Sequence, residues 1–120
     1  MAKILIVEDE KPLSAAICRM LEQEHYSVDA AYTGPDGLDS ALSGIYDAII
    51  LDVMLPGMDG FTLLRELRGG GSSLPVLMLT ARSELSDRVR GLDYGVIRWS
   101  SAGSHDVRHA VLRDVRAFLG

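Results

Sequence analysis

Glu8, Asp9 and Glu10 follow directly on the apolar run Lys3-Ile4-Leu5-Ile6-Val7. Asp52 closes a second such run, Asp47-Ala48-Ile49-Ile50-Leu51, and Thr80 closes a third, Pro75-Val76-Leu77-Met78-Leu79. Carboxylates gathered at one place repel each other unless a cation intervenes, and oxygen donors favour a hard one. Mg²⁺ suits such a set, because it takes one or two carboxylates, keeps waters and bridges to phosphate oxygens. An acidic, metal-loaded pocket with a hydroxyl at its edge fits phosphoryl transfer. The metal offsets the negative charge, Asp52 attacks phosphorus, and Thr80 holds a phosphoryl oxygen with help from the backbone N–H of Ala81. Taken singly, an acid such as Asp9 is more often a helix cap than a metal ligand, and Asp52 alone is unremarkable. The reading rests on the group: an acid pair, a lone acid after a strand, the loop Pro56-Gly57-Met58-Asp59-Gly60, and a Thr after another strand.

The elements around these residues explain why they would meet. The three runs are short and rich in branched apolar residues, as strands buried on both faces of a parallel sheet are. Tyr26–Ala31 reads as a further strand. Leu13, Ala16, Ile17, Met20 and Leu21 recur at helical spacing behind Pro12, which suits a first helical turn. Leu38, Ala41 and Leu42 predict a short helix after Thr33-Gly34-Pro35. Phe61, Leu64 and Leu67 start another, Leu85, Val89 and Leu92 mark a fourth, and Val107, Val111, Val115 and Phe118 mark the last. The segment from Val96 to Ser104 carries no clear pattern. Strands alternating with helices, without hairpin signals, predict a parallel sheet covered on both faces. Right-handed crossovers then bring every strand's C-terminal end to one edge, where ligands bind in open α/β sheets. Strands one and three would be neighbours across the switch point, so Glu8, Asp9 and Asp52 would converge.

Composition narrows the remaining classes. The chain has 120 residues, 48% of them hydrophobic and 24% charged, with a formal charge of −5. One domain covering residues 1–120 is expected. Its twelve Lys and Arg are scattered, which argues against direct nucleic-acid binding by this domain. Cys18 is the sole cysteine, so an internal disulfide is excluded and a reducing, cytoplasmic setting is expected. No apolar run approaches the length of a membrane span, and no signal peptide is evident at Met1-Ala2-Lys3. The glycine-rich stretch Gly69-Gly70-Gly71-Ser72-Ser73 lacks the Gly-Lys-Ser/Thr ending of a nucleotide-binding loop. His105 and His109 stand four apart, a metal-ligand spacing, but without a nearby Cys or carboxylate motif they read as surface residues, as does His25.

Ile4-Leu5-Ile6-Val7-Glu8-Asp9-Glu10, Leu51-Asp52-Val53-Met54-Leu55-Pro56-Gly57-Met58-Asp59-Gly60 and Met78-Leu79-Thr80-Ala81-Arg82 together resemble the response-regulator receiver (CheY-like) family. The likeness runs from about residue 3 to Gly95. Asp87-Arg88-Val89-Arg90-Gly91-Leu92-Asp93-Tyr94-Gly95 is most similar to receivers of winged-helix transcription regulators. The resemblance implies a flavodoxin-like, doubly wound five-stranded sheet of order 2-1-3-4-5. It implies a two-component phosphorelay in which Asp52 accepts a phosphoryl group from a sensor histidine kinase and the domain signals to an output domain or partner. Asp9, Asp52 and the carbonyl of Met54 would hold Mg²⁺, with Glu8 acting through water. Such a domain is a self-catalysed phosphoacceptor rather than a turnover enzyme. Members of the family often form homodimers through the face made by the fourth helix, fifth strand and last helix.

After Gly95 the chain departs from the family pattern, so strand five and its loop are expected to be atypical. The family continues to an aromatic and then a lysine. Here, without gaps, Trp99 falls at the aromatic and Ala102 at the lysine, and no lysine occurs after Lys11. That ammonium would pair with Asp52 and later with the phosphoryl oxygens. Arg98 has a longer, planar head and reads as a surface charge. Two functions are therefore weighed. One is a working phosphorylation switch. The other is a pseudo-receiver, a binding module that keeps the fold without the switch. A phosphatase with an aspartate nucleophile fits poorly, because the general acid expected two residues after Asp52 is Met54. A flavodoxin-like cofactor site fits poorly too, since Glu8-Asp9-Glu10 would repel a phosphate.

Overall fold

The branched and apolar pentamers form the strands they predict, and their alternation decides which helix covers which face. The structure is a computed structural model and describes residues 2–80, 94–98 and 107–119. In chain order its elements are β1 (Lys3–Val7), α1 (Lys11–Gln23), β2 (Ser27–Ala31), α2 (Gly34–Ala41), β3 (Ala48–Asp52), α3 (Gly60–Gly69), β4 (Val76–Thr80), β5 (Gly95–Arg98) and α4 (Val107–Leu119). All neighbouring strands pair in parallel, in the order β2-β1-β3-β4-β5. The order and the five strands agree with the expectation, including a fifth strand at Gly95–Arg98, where the pattern of residues alone was uninformative.

Side chains of a strand point alternately to its two faces. Leu5, Val7, Ile49, Leu51, Val76 and Met78 pack on one side, against Ala41 of α2 and Leu63, Leu64 and Leu67 of α3. Ile4, Ile6, Ile50, Leu77 and Leu79 pack on the other, against Ile17 and Leu21 of α1 and Ala110, Val111 and Val115 of α4. The sheet is thus buried twice, which is why its strands lack the polar alternation of a half-solvated sheet.

The helices start where their caps dictate. Thr33 Oγ1 accepts from the Asp36 N–H at 3.2 Å at the head of α2, and Asp59 Oδ1 accepts from the Thr62 N–H at 2.8 Å at the head of α3. Pro12 sits in the first turn of α1 as expected. Just beyond α1, exposed His25 takes a positive φ of 71°, a left-handed conformation that a non-glycine residue adopts at a cost.

Several expectations lie outside the described residues. These are the helix at Leu85–Leu92, Ala81, Trp99, Ala102 and His105, and with them much of the face on which dimers were expected. The same holds for the side chains of Thr80, Arg98 and His109.

Candidate metal and phosphoryl site

The crossover that makes β1 and β3 neighbours brings their C-terminal ends side by side. Val7 pairs with Leu51, so the next residue along each chain, Glu8 and Asp52, emerge together at the sheet edge. Glu8, Asp9 and Asp52 each offer a carboxylate oxygen, and these oxygens lie within 4.8 Å of one another. The convergence expected from the sequence is therefore present.

The three acids do not have the same surroundings. Glu8 keeps only 3% of its surface exposed, Asp52 is half-buried, and Asp9 is exposed. The Glu8 backbone N–H continues the sheet by donating to the Ala31 carbonyl at 3.1 Å. Its side-chain Oε2 accepts from the Glu10 N–H at 3.1 Å. Burial pushes the Glu8 carboxyl up to about 8, opposed by the Glu10 N–H and reinforced by a hydrogen bond and charge from Asp52. Asp52 is also raised, first by burial and then by the charges of Asp9 and Glu10, while the Met54 N–H and Glu8 act to lower it. Both shifts have one physical source: carboxyl groups taken from water and placed beside other carboxyl groups. A divalent cation placed among their oxygens would reverse that cost, and an all-oxygen donor set of this kind suits Mg²⁺ or Ca²⁺.

The loop after β3 is tied to the acid that begins it. The Met54 backbone N–H donates to Asp52 Oδ1 at 3.0 Å, while the residue as a whole is 63% exposed. The Val53 N–H donates to Leu79 on β4 at 3.4 Å, and the Val53 carbonyl accepts from the Gly60 N–H at 2.9 Å. Residues 53–59 thus leave the sheet and return to it within hydrogen-bond reach of their starting point. Thr80 ends β4 opposite Arg98 of β5, with its backbone on the same edge as Asp52. Residue chemistry alone gave no hint of how tightly this loop closes.

The chain is also similar to known proteins. Residues 4–99 match the model of the response regulator receiver domain. It is 50% identical over 95 residues to the response regulator ArlR of Staphylococcus aureus, covering 79% of this chain and 43% of that protein. It is 45% identical over 93 residues to the transcriptional regulatory protein DltR of Streptococcus agalactiae, covering 78% of this chain and 42% of that one. The chain spans less than half the length of these relatives. Among solved structures, the receiver domain of the sensor histidine kinase PA1611 from Pseudomonas aeruginosa, with a magnesium ion in its active-site cleft, superposes with a TM-score of 0.78. That pair is 28% identical and covers 99% of this chain and 98% of the other. The response regulator TrrA of Thermotoga maritima, in complex with Mg²⁺ and BeF, gives a TM-score of 0.76 at 26% identity, covering 96% and 99%. The sheet order, the acidic edge and these similarities agree, and the chain belongs to the response regulator receiver domain family.

Proposed function

We propose that this domain accepts a phosphoryl group on Asp52, and that Glu8, Asp9, Asp52 and the Met54 carbonyl are the groups that hold Mg²⁺ for the transfer. The observation that carries the reading is the convergence of the Glu8, Asp9 and Asp52 oxygens within 4.8 Å at the carboxyl edge of the sheet. The magnesium in the cleft of the PA1611 receiver supports the choice of metal. Bound Mg²⁺ would neutralise the acids and the charge gathering on the transferred group.

The chain's own residues would do the rest. The Met54 N–H fixes one oxygen of the Asp52 carboxylate, so the nucleophile meets phosphorus in a set orientation. An Asp52 oxygen forms the new O–P bond as the bond from phosphorus to the donor breaks, and the bonding pair leaves with the donor. With a phosphohistidine donor that pair returns to the imidazole nitrogen, so a sensor histidine kinase is the partner this reading implies. Thr80 stands at the end of the adjacent strand, where its hydroxyl and the Ala81 N–H would hold a phosphoryl oxygen. The domain would then pass the signal to an output domain or partner, as a cytoplasmic phosphoprotein of a two-component system.

The test is labelling of the purified chain by a small phosphodonor such as acetyl phosphate, read by intact mass. The expected result is one phosphoryl group per chain, dependent on Mg²⁺ and absent from Asp52→Asn. A folded chain that binds Mg²⁺ yet takes no label would overturn the reading in favour of a pseudo-receiver. That alternative is disfavoured by the complete acidic set, although no lysine follows Lys11.

A further inference from the structure

Gly60 opens α3, yet its surroundings belong to the acidic edge. A Cβ built on Gly60 would lie 2.6 Å from the backbone oxygen of Asp52, 3.0 Å from the Val53 Cα and 3.0 Å from the Met78 Cε. The first two are backbone atoms of the acid and its successor, which no rotamer change can move. The same residue donates its N–H to the Val53 carbonyl at 2.9 Å. Gly60 thus closes the loop of residues 53–59 by resting its bare Cα on the peptide that follows Asp52. The Asp52 backbone is held from the other side as well, because β3 pairs with β4 there and the Val53 N–H donates to Leu79. An added methyl group therefore has to move either α3 or the Asp52 peptide.

We infer that Gly60 is a positioning residue for the acidic pocket, and that its missing side chain tunes the pocket to a small divalent cation. The inference rests on the metal-site reading above. Displacing the Asp52 peptide by a few tenths of an ångström shifts both the Asp52 carboxylate and the Met54 peptide bonded to it. Mg²⁺ demands near-octahedral geometry at roughly 2.0–2.1 Å, whereas Ca²⁺ accepts irregular shells at roughly 2.3–2.6 Å. A displaced pocket therefore loses Mg²⁺ first. Simple loss of stability would not separate the two ions.

The experiment measures Mg²⁺ and Ca²⁺ affinities of the wild-type chain and of Gly60→Ala by calorimetry, with Leu64→Ala, one turn further along α3, as a core variant that leaves the Gly60 contact intact. The expected result is a Mg²⁺ affinity about tenfold or more weaker in Gly60→Ala, as is typical for changes beside a metal ligand, with the Ca²⁺ affinity changed far less. Leu64→Ala should leave the Mg²⁺-to-Ca²⁺ ratio as in the wild type. An unchanged ratio in Gly60→Ala overturns the inference. A wild-type chain that binds neither ion overturns the metal-site reading instead. If Gly60→Ala does not fold, amide exchange in the wild type decides. Closure that favours metal must itself be favoured by metal, so Mg²⁺ should slow exchange of the Gly60 N–H by several-fold, and Ca²⁺ less. No slowing with Mg²⁺ overturns the inference.

Discussion

The backbone N–H of Met54 donates to Asp52 Oδ1 at 3.0 Å, joining the proposed phosphoryl acceptor to the residue whose carbonyl is the proposed metal ligand. Asparagine at position 52 keeps an oxygen that can accept this bond but removes the charge. Alanine removes both. Because burial and the nearby acids raise the Asp52 carboxyl, neutralising it relieves repulsion in the metal-free protein. Asp52→Asn should therefore be at least as stable as the wild type near pH 8 without metal. Asp52→Ala should be less stable than Asp52→Asn by about 1 kcal/mol, the usual value of one such bond. Urea unfolding of the two variants checks the difference, and equal midpoints would show that the Met54 bond contributes nothing.

Glu8 gives the protein a pH dependence whose sign follows from its surroundings. Its carboxyl is raised from 4.5 to about 8 by burial, with Asp52 adding to the shift. Between those values the folded chain holds a proton that the unfolded chain has released, so metal-free stability falls as pH rises from about 4.5 to about 8. The loss should be on the order of 1–3 kcal/mol for a buried acid of this kind. Glu8→Gln should flatten that slope. Mg²⁺ must displace the same proton, so its affinity should climb with pH and level off above about 8. Calorimetry in two buffers of different ionisation enthalpy measures the proton released. Binding without proton release near pH 7 would mean that Glu8 is already ionised.

Much of this arrangement was legible in the residues because it is repetitive. Three buried pentamers, each closed by a polar residue, define strands, edge and pocket at once, and the parallel order follows from the helices between them. What escaped was set by contacts between distant segments. Nothing in Gly37 indicates that Val7 lies against it, and nothing in Gly60 indicates that the Asp52 carbonyl does. The unequal burial of Glu8 and Asp9 was also hidden, since two adjacent acids look alike until the Glu8 N–H is seen continuing the sheet to Ala31. Strand five is expected from the resemblance, but its bounds are not readable in the residues, because Gly95–Arg98 has only two apolar residues and depends on pairing with β4.

His25 tests local strain apart from function. Its φ of 71° follows directly on the end of α1, where its N–H donates to the Glu22 carbonyl. Glycine adopts this conformation without a Cβ clash but loses more freedom on folding. The net gain of His25→Gly should be about 0.5–1 kcal/mol. For a domain of this size that corresponds to a rise of roughly 2–4 °C in Tm. Phosphodonor labelling should be unchanged, since His25 lies beyond α1 at the opposite end from Glu8. A lower Tm would show that the imidazole makes a contribution larger than the strain.

Gly37 offers a test of how α2 is seated on the strand that carries Glu8. A Cβ at this position would lie 2.7 Å from both methyl groups of Val7, the last residue of β1. The clash is with the far ends of one side chain, so shortening that side chain should relieve it. Gly37→Ala alone should cost about 1–3 kcal/mol through overpacking. Val7→Ala alone should cost a similar amount through the cavity it leaves in the core. Combined, the two changes exchange one methyl-sized volume for another across the same contact, so the double variant should lose less than the sum by about 1–2 kcal/mol. Urea unfolding of the four proteins gives the coupling. If the costs add to within about 0.5 kcal/mol, as they do for independent sites, α2 does not rest on Val7 in this way. If the coupling is found, the short distance from Val7 to Glu8 makes α2 a support for the proposed metal site. Mg²⁺ affinity should then fall in Gly37→Ala and recover in part in the double variant.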